Sequence, residues 1–270
     1  MKRPYLIIDM HSHLRNNILY HTTIAKQAGI DVVVYMANTR PVMDTRKKIF
    51  KSWDKKRAEG VTALPISAIT YDLKGKKLVD VENIKEYVVG FSDDGKCLKN
   101  LGIMREILQK DVLVLAHCEP ETKYIEKYSN LLAKTGGKLH IQHVSKKESV
   151  ELIRAVKKDG LKITCETCPH YFTYTRRDLE TKVNPPLGEK KDLEAVREGL
   201  ADDTIDAIAS DHAPKPRKTG IAGFRSLIPL SYGLVLQGVL TEEQMWKKLS
   251  ENPEKIIELE RFLKYKFLLE

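Results

Sequence analysis

The sequence is poor in the features that mark proteins outside the ordinary globular class. No apolar stretch in its 270 residues approaches the ~18 residues that a membrane-spanning helix needs. Cysteine occurs only at positions 97, 118, 165 and 168, too sparsely for a disulfide framework, which predicts a protein of the reducing cytoplasm. After Met1-Lys-Arg-Pro the first apolar run has only four residues, so we expect no secretory signal peptide.

The excess of positive charge lacks the pattern of a nucleic-acid-binding surface. The formal net charge is +9, but the lysines and arginines are spread over the whole length without interleaved aromatic residues. Solvated helix faces explain them better, and a positive field would favour an anionic substrate. A Gly-x-Gly-x-x-Gly fingerprint is also absent after the first apolar run, which argues against a dinucleotide-binding open sheet.

Eight short apolar runs predict a parallel α/β fold. They lie near 5–10, 31–36, 62–69, 87–91, 112–116, 138–144, 161–165 and 205–209. Segments with apolar residues at helical spacing separate several of them, as at 147–157. Eight strands favour a closed (β/α)8 TIM-type barrel over a doubly wound sheet. We expect residues 1–270 to form a single barrel domain with a helical C-terminal tail from about residue 228.

The first apolar run ends in a pattern that is typical of a metal site. Asp9, His11 and His13 alternate along the chain, so in a regular strand their side chains project to one side. Neutral imidazole nitrogen is a good ligand for Zn²⁺. Two histidines at the end of a buried strand therefore provide half of a candidate metal site.

Polar side chains, among them His, Asp and Glu, also follow most of the later apolar runs. Barrel enzymes build their active sites at the C-terminal ends of the strands, and seven of the eight histidines lie at such an end, His21 being the exception. Of His140 and His143, a regular strand can point only one inward, and His143 is the better candidate ligand because it is nearer the end. The polar ends are Ala37-Asn-Thr-Arg-Pro41, Ser92-Asp-Asp-Gly95, Ala116-His-Cys-Glu119, His140-Ile-Gln-His-Val-Ser145, Glu166-Thr-Cys-Pro-His170 and Ser210-Asp-His-Ala-Pro214.

Spacing alone leaves two choices open at these ends. Asp93 and Asp94 are adjacent and face opposite ways in an extended chain, and Asp211 and His212 compete in the same manner. Glu166 is interpreted as a residue that satisfies buried polar groups near the barrel mouth.

The motifs occur in an order that resembles a known family. They include Asp9-x-His-x-His-x-Arg15, Met36-x-Asn-Thr-Arg-Pro41, Phe91-Ser-Asp-Asp-Gly95, Ala116-His-Cys-Glu119, His140-x-x-His-Val-Ser145, Glu166-x-x-Pro-His170, Lys182-Val-Asn-Pro-Pro-Leu187, Ser210-Asp-His-Ala-Pro214 and Gly220-Ile-x-Gly223. In this combination the chain resembles the amidohydrolase superfamily of metal-dependent hydrolases and, within it, the dihydroorotase family of the long bacterial and archaeal type.

The resemblance implies a site with two zinc ions, bridged by Asp94 and a hydroxide. Many relatives bridge the ions with a carboxylated lysine, for which this chain offers no residue near Phe91. The implied ligands are His11, His13 and Asp211 for one ion, and His117 and His143 for the other, with Asp94 shared.

The same resemblance implies the reaction and the substrate contacts. The reaction is the reversible cyclisation of N-carbamoyl-L-aspartate to (S)-dihydroorotate in pyrimidine biosynthesis. Arg15 and Asn38 would clamp the substrate carboxylate, and Asn184 would contact the pyrimidine or ureido portion. Asp211 would act as general acid and base.

Several positions depart from the family pattern on the substrate side. Lys215 stands where relatives have a histidine that contacts the substrate carboxylate, and we expect this lysine to bind the same group. The loop from Pro214 to Gly220 is shorter than is usual. Since the chain begins on the first barrel strand, we also expect the small β-sandwich of relatives to be missing.

Two alternative functions stay open at this point. One is another cyclic-amide hydrolase, of the hydantoinase or allantoinase kind, against which Arg15, Asn38 and Asn184 argue. The other is an inactive relative that serves as a partner of aspartate transcarbamoylase. A homo-oligomer is compatible with either, whereas nucleic-acid and membrane partners are not expected.

Overall fold

The computed structural model describes residues 5–15, 17–53, 55–179, 182–214 and 220–266. Within them, short parallel strands alternate with helices along the chain. The strands are β1 (Ile8–Ser12), β2 (Val32–Tyr35), β3 (Thr62–Pro65), β4 (Leu113–Ala116), β5 (Lys138–Ile141), β6 (Ile163–Thr167) and β7 (Ala207–Ile208).

The helices surround the strands and continue beyond β7. None of the helices in the described ranges is long and apolar enough to cross a membrane. Short 3₁₀ turns occupy Tyr71–Leu73 and Lys85–Tyr87, and Lys247–Glu251 forms a π-helical turn. The α-helices are α1 (Ile18–Gln27), α2 (Arg46–Trp53), α3 (Leu101–Leu108), α4 (Glu121–Thr135), α5 (Lys147–Lys158), α6 (Pro169–Thr173), α7 (Lys190–Ala201), α8 (Phe224–Leu236), α9 (Glu242–Trp246), α10 (Asn252–Ile256) and α11 (Leu259–Lys266).

Several helix starts are determined by local side chains. The Asn100 side chain accepts hydrogen bonds from the first backbone N–H groups of α3, at Gly102 and Ile103. At the start of α9, Thr241 and Gln244 form a reciprocal capping box. These caps satisfy N–H groups that have no partner inside the helix, so the helix boundaries follow from sequence-local chemistry.

The strands form a closed ring. β1, β2 and β3 pair in parallel in that order, and so do β4, β5, β6 and β7. Phe91 pairs in parallel with both Ser67 and Val114, so its segment fills the strand position between β3 and β4. Ser12 of β1 pairs with His212, which closes the ring after β7. The predicted (β/α)8 barrel is confirmed, with the fourth and eighth positions reduced to very short pairings.

The hydrophobic core has two layers because successive strand residues face opposite sides. Val33 and Tyr35 of β2 pack outward against residues from the helices, such as Ile49 of α2. The inner layer contains Val32 and Val34, together with residues of other strands and of the α10–α11 region. The inner layer fills the barrel below the site, which leaves the C-terminal rim for polar residues.

Candidate active site

Six predicted ligands converge at the C-terminal rim of the barrel. They come from five strand positions that lie far apart in sequence, and every one of them is buried. The six are His11, His13, Asp94, His117, His143 and Asp211.

Asp94 stands at the centre of this cluster. Its Oδ1 atom lies 3.5 Å from each of three ring nitrogens, namely His11 Nε2, His117 Nδ1 and His143 Nε2. Its Oδ2 atom is 3.2 Å from His13 Nε2, which is also 3.1 Å from Asp211 Oδ1. One carboxylate therefore faces four imidazoles, a position suited to a ligand shared by two cations.

The structure distinguishes Asp94 from its neighbour. The Asp93 carboxylate turns away from the cluster and accepts the backbone N–H groups of Ile69 and Thr70 at 2.9 and 3.0 Å. It also accepts the Thr70 hydroxyl at 2.5 Å. Asp93 thus anchors the loop after β3, whereas Asp94 enters the site.

The same distinction separates Asp211 from His212. The His212 ring stacks on Phe224 with a centroid distance of 3.7 Å, and its Nε2 lies 3.0 Å from His21 Nδ1. Burial, and then the neighbouring His21, lower the pKa of His212 to about 3, so this ring is neutral. His212 therefore packs the eighth strand position against α1 and α8, while Asp211 faces His13.

His140 and His143 are both buried beside the site, at different depths. His140 lies in β5, where its Nε2 is 3.4 Å from Glu166 Oε2. β5 ends at Ile141, and His143 adopts a left-handed backbone conformation with φ of 39°. In a regular strand only one of these two side chains could face inward. Because the backbone turns after β5, His143 is not bound by that alternation and can face the site although His140 is also buried.

Three residues of the site have a strained backbone conformation. Arg15, His143 and Asp211 all have positive φ values, of 50°, 39° and 45°. This region is sparsely populated by residues with a Cβ, and such strain persists only where the surroundings enforce it. Three predicted functional residues are therefore held in unusual conformations by the packing around them.

The buried charges of the cluster influence one another strongly. Burial raises the pKa of Asp94, but the charge of His11 and the hydrogen bonds of the surrounding histidines outweigh it and hold that pKa well below its usual value. Burial likewise opposes ionisation of Asp211, whose pKa falls to about 2 through His13 and the charge of His11. Both aspartates are therefore deprotonated at neutral pH, as metal ligands must be.

The donor set fits a divalent metal ion. His11 Nε2 and Asp94 Oδ1 are buried and have no hydrogen-bond partner within the described ranges, which is costly unless a cation meets them. Two groups place one ligand atom from each residue within 4.8 Å of the others: His11, His13 and Asp211, and His11, Asp94 and His143. Imidazole and carboxylate donors in this number suit zinc.

The predicted substrate contacts surround a cavity above the cluster. The cavity has a volume of about 710 Å³, and Arg15, Asn38 and Asn184 are in its wall. The Arg15 Nε atom is buried without a partner in the described part of the chain, so it is available to an anion. Asn38 Oδ1 lies 3.0 Å from His13 Nδ1, and Asn184 Nδ2 lies 3.5 Å from His117 Nε2. Lys215 lies outside the described residues.

Three charged residues of the cavity wall, Glu119, Arg176 and Lys182, were not among the predicted site residues. Glu119 places Oε2 3.6 Å from His117 Nε2, and its two-residue spacing from His117 was an available signal. Arg176 also lines the cavity and pairs with Glu189 at the start of α7. No sequence pattern marks Arg176, because only the folded loop brings it to the rim.

The chain matches no protein-family model. It is 34% identical over 310 residues to the dihydroorotase of Trichlorobacter lovleyi, a match covering 94% of this chain and 73% of that protein. It is 36% identical over 310 residues to the dihydroorotase of Endomicrobium trichonymphae, covering 94% and 74%.

Solved structures share the fold at lower identity. L-hydantoinase from Arthrobacter aurescens superposes with a TM-score of 0.82 at 20% identity, covering 94% of this chain and 71% of that chain. Saccharomyces cerevisiae dihydroorotase in complex with 5-fluoroorotic acid gives 0.80 at 15%, covering 94% and 84%. The inactive dihydroorotase-like domain of the Chaetomium thermophilum CAD-like multifunctional protein gives 0.75 at 17%, covering 94% and 79%.

The structural likenesses establish the barrel, and the sequence identities go further. They exceed one third over nearly the whole chain and extend over more than two thirds of the relatives. The chain therefore belongs to the dihydroorotase family of metal-dependent cyclic amidohydrolases.

Proposed function

We propose that the protein interconverts N-carbamoyl-L-aspartate and (S)-dihydroorotate with the help of two zinc ions, as a step of pyrimidine biosynthesis. The observation that carries the proposal is the buried cluster of four histidines and two aspartates directly beneath a cavity walled by Arg15 and Asn184. The cluster provides a place for hydrolytic chemistry, and the wall provides groups for an anionic cyclic amide.

The six ligands divide between two cation positions. In this proposal His11, His13 and Asp211 would hold one zinc ion, His117 and His143 would hold the other, and Asp94, which lies between the two groups, would serve both. When bound, the ions would supply an acidified water molecule and polarise the carbonyl group of the substrate.

Arg15 and the two asparagines orient the substrate. The guanidinium group of Arg15 matches the planar carboxylate of dihydroorotate and can bind it through two N–H groups. We assign the Asn184 amide, which lines the same cavity, to the ring of the substrate. Asn38 contacts both His13 and the backbone oxygen of Asp94, so it connects substrate binding to the geometry of the cluster.

In this proposal Asp211 moves the proton. With a pKa of about 2 it is deprotonated at neutral pH and can accept a proton from the attacking water. In ring opening the water oxygen bonds to the ring amide carbon, the carbon–nitrogen bond breaks, and Asp211 returns the proton to the departing nitrogen. Cyclisation follows the same path in reverse.

A single comparison tests the proposal against its alternatives. Zinc content and turnover are measured on dihydroorotate, hydantoin and allantoin, with chelator-treated protein as the control. We expect bound zinc, turnover of dihydroorotate above that of the other two substrates, and loss of turnover after chelation that added zinc restores. Preference for hydantoin or allantoin would overturn the substrate, and zinc binding without any turnover would indicate an inactive relative.

The remaining predictions concern the cellular setting. All four cysteines are unpaired, which supports work in a reducing cytoplasm. Association with aspartate transcarbamoylase or with further copies of the chain stays a prediction. Co-elution of the two purified enzymes in size-exclusion chromatography would support the first association.

A further inference from the structure

Glu166 is a buried carboxylate in direct contact with a predicted metal ligand. Both Glu166 and His11 have no exposed surface, and Glu166 Oε1 lies 2.6 Å from His11 Nδ1. We propose that Glu166 is a positioning residue of the metal centre, which holds His11 with its Nε2 lone pair directed at Asp94 and Asp211. This inference rests on the proposed metal site and assigns to it a residue beyond the six ligands.

The contact determines which ring nitrogen of His11 is free. A carboxylate can only accept, so the Nδ1–H group of His11 donates to Glu166. An imidazole that binds a metal ion is neutral and has one N–H group, so in the metal-bound protein Nε2 would carry the lone pair. His11 Nε2 lies 3.5 Å from Asp94 Oδ1 and 3.7 Å from Asp211 Oδ1, with no hydrogen-bond partner in the described segments. The opposite tautomer would remove this lone pair from the cluster.

On the side away from Asp94, no other ligand histidine has a carboxylate as close among the described residues, and His117 Nε2 lies 3.6 Å from Glu119 Oε2. The Nδ1 atom of His13 meets the amide oxygen of Asn38 at 3.0 Å. The Nδ1 atom of His143 is buried without a partner in the described ranges. His11 belongs to the first cation position of the proposed division, so the carboxylate that orients it acts on that position.

The Glu166 carboxylate lies between two imidazoles. Its Oε1 atom contacts His11, and its Oε2 atom lies 3.4 Å from His140 Nε2 and has no hydrogen bond in the described residues. Burial raises the pKa of Glu166, but His11, and then His140, outweigh it and lower that pKa to about 2, so this carboxylate is an ionised acceptor for the His11 Nδ1–H group.

The decisive measurement is zinc affinity of the Glu166→Gln variant, obtained by competition with a chromophoric chelator. We expect the affinity to fall ~10–100-fold, the effect typical for partners of metal-binding histidines. The matched control is Glu121→Gln. Glu121 is also a buried carboxylate near the rim, but it accepts from the backbone of Ser145 and Lys146 and is expected to leave zinc affinity unchanged.

A double-variant cycle separates positioning from general damage. If Glu166 acts through His11, Glu166→Gln lowers zinc affinity no further in a His11→Ala background. Zinc affinity of Glu166→Gln within twofold of the parent overturns this inference alone, and a parent that binds no zinc overturns the proposed function as well. If Glu166→Gln does not fold, Glu166→Asp takes its place, since the shorter side chain keeps the charge but retracts the oxygen from His11. Unchanged zinc affinity in Glu166→Asp would also contradict the inference.

Discussion

At the scale of single residues, sequence neighbours at the barrel rim perform different tasks. Asp93 binds the loop after β3 and Asp94 enters the metal cluster, although the two differ by one position. Asp211 faces His13, while His212 packs on Phe224. In each pair one residue faces the predicted ligand cluster and the other packs against the surrounding structure, which keeps the short strand end in place.

Replacing each aspartate separately by asparagine tests whether Asp94 binds metal and Asp93 stabilises the fold. We expect Asp94→Asn to lose at least one zinc ion and most of the turnover, because an amide is a poor ligand at a position shared by two cations. Asp93→Asn should instead lower the free energy of unfolding by ~1–3 kcal/mol, since donors at Ile69 and Thr70 lose a charged acceptor. Zinc content, turnover and thermal unfolding of both variants provide the comparison. A larger loss of zinc in Asp93→Asn would mean that the wrong aspartate has been chosen.

Arg15 is predicted to control substrate affinity. Removing the charged partner of a desolvated carboxylate costs ~2–5 kcal/mol, so Arg15→Gln should raise KM for dihydroorotate far more than it lowers kcat. Arg176→Gln is the matched control, because Arg176 lines the same cavity but is paired with Glu189. Steady-state kinetics of both variants, with zinc content measured in parallel, would decide. An equal rise in KM in both variants would show that Arg15 does not bind the substrate carboxylate specifically.

At the scale of elements, the barrel depends on a close approach between the fourth strand position and β4. A Cβ atom on Gly90 would lie 2.5 Å from the backbone oxygen of Leu113. This contact cannot be relieved by rotating a side chain, because the obstacle is backbone. The short fourth strand therefore passes β4 only because residue 90 is glycine.

Two glycine substitutions measure this constraint. Gly90→Ala should lower the melting temperature, with a cost of ~1–3 kcal/mol from overpacking. Gly233→Ala, within α8, is the control, since a Cβ there would lie 3.9 Å from the side chain of Gln237. Alanine should stabilise the helix by ~0.5–1 kcal/mol. Denaturant unfolding should show a lower free energy of unfolding for Gly90→Ala and a higher one for Gly233→Ala. A neutral Gly90→Ala would show that β4 can move aside.

At the scale of the whole molecule, burial determines which thiols are accessible. Cys118, Cys165 and Cys168 are buried, whereas Cys97 is partly exposed. Burial raises the pKa of Cys165 to about 12, so its reactive thiolate is scarce in the folded protein at pH 8. We expect one thiol, that of Cys97, to react with a disulfide reagent under native conditions, and four after unfolding. Cys97→Ser should abolish the native reaction.

Burial of Cys165 also predicts how the stability of the protein changes at alkaline pH. The pKa of the Cys165 thiol is higher in the folded chain than its ordinary value of 9.0, so folding favours the protonated form. This contribution to stability is complete below pH 9 and declines as the pH rises towards 12. Unfolding of Cys165→Ala should therefore depend less on pH above 9 than unfolding of the parent.

The barrel and most of the candidate site followed from the chain itself. Eight apolar runs predicted the strand positions, and the helix starts carry their caps at Asn100 and Thr241. His11, His13 and His117 were expected at one rim because parallel strands in a barrel bring their C-terminal ends together, and the resemblance to the dihydroorotase family added Asp211. The structure places all four there. The extent of the single domain stays a prediction.

Tertiary structure decided what alternation along a strand leaves ambiguous. Choosing Asp94 over Asp93 required the loop after β3 to bind Asp93, and admitting His143 beside His140 required a backbone turn with φ of 39°. The contact between Glu166 and His11 joins residues 155 positions apart. Periodicity determines which residues are buried and which strand ends meet, because it acts between neighbours in the chain. The direction of each side chain at the rim depends on hydrogen bonds between distant segments, which exist only in the folded molecule.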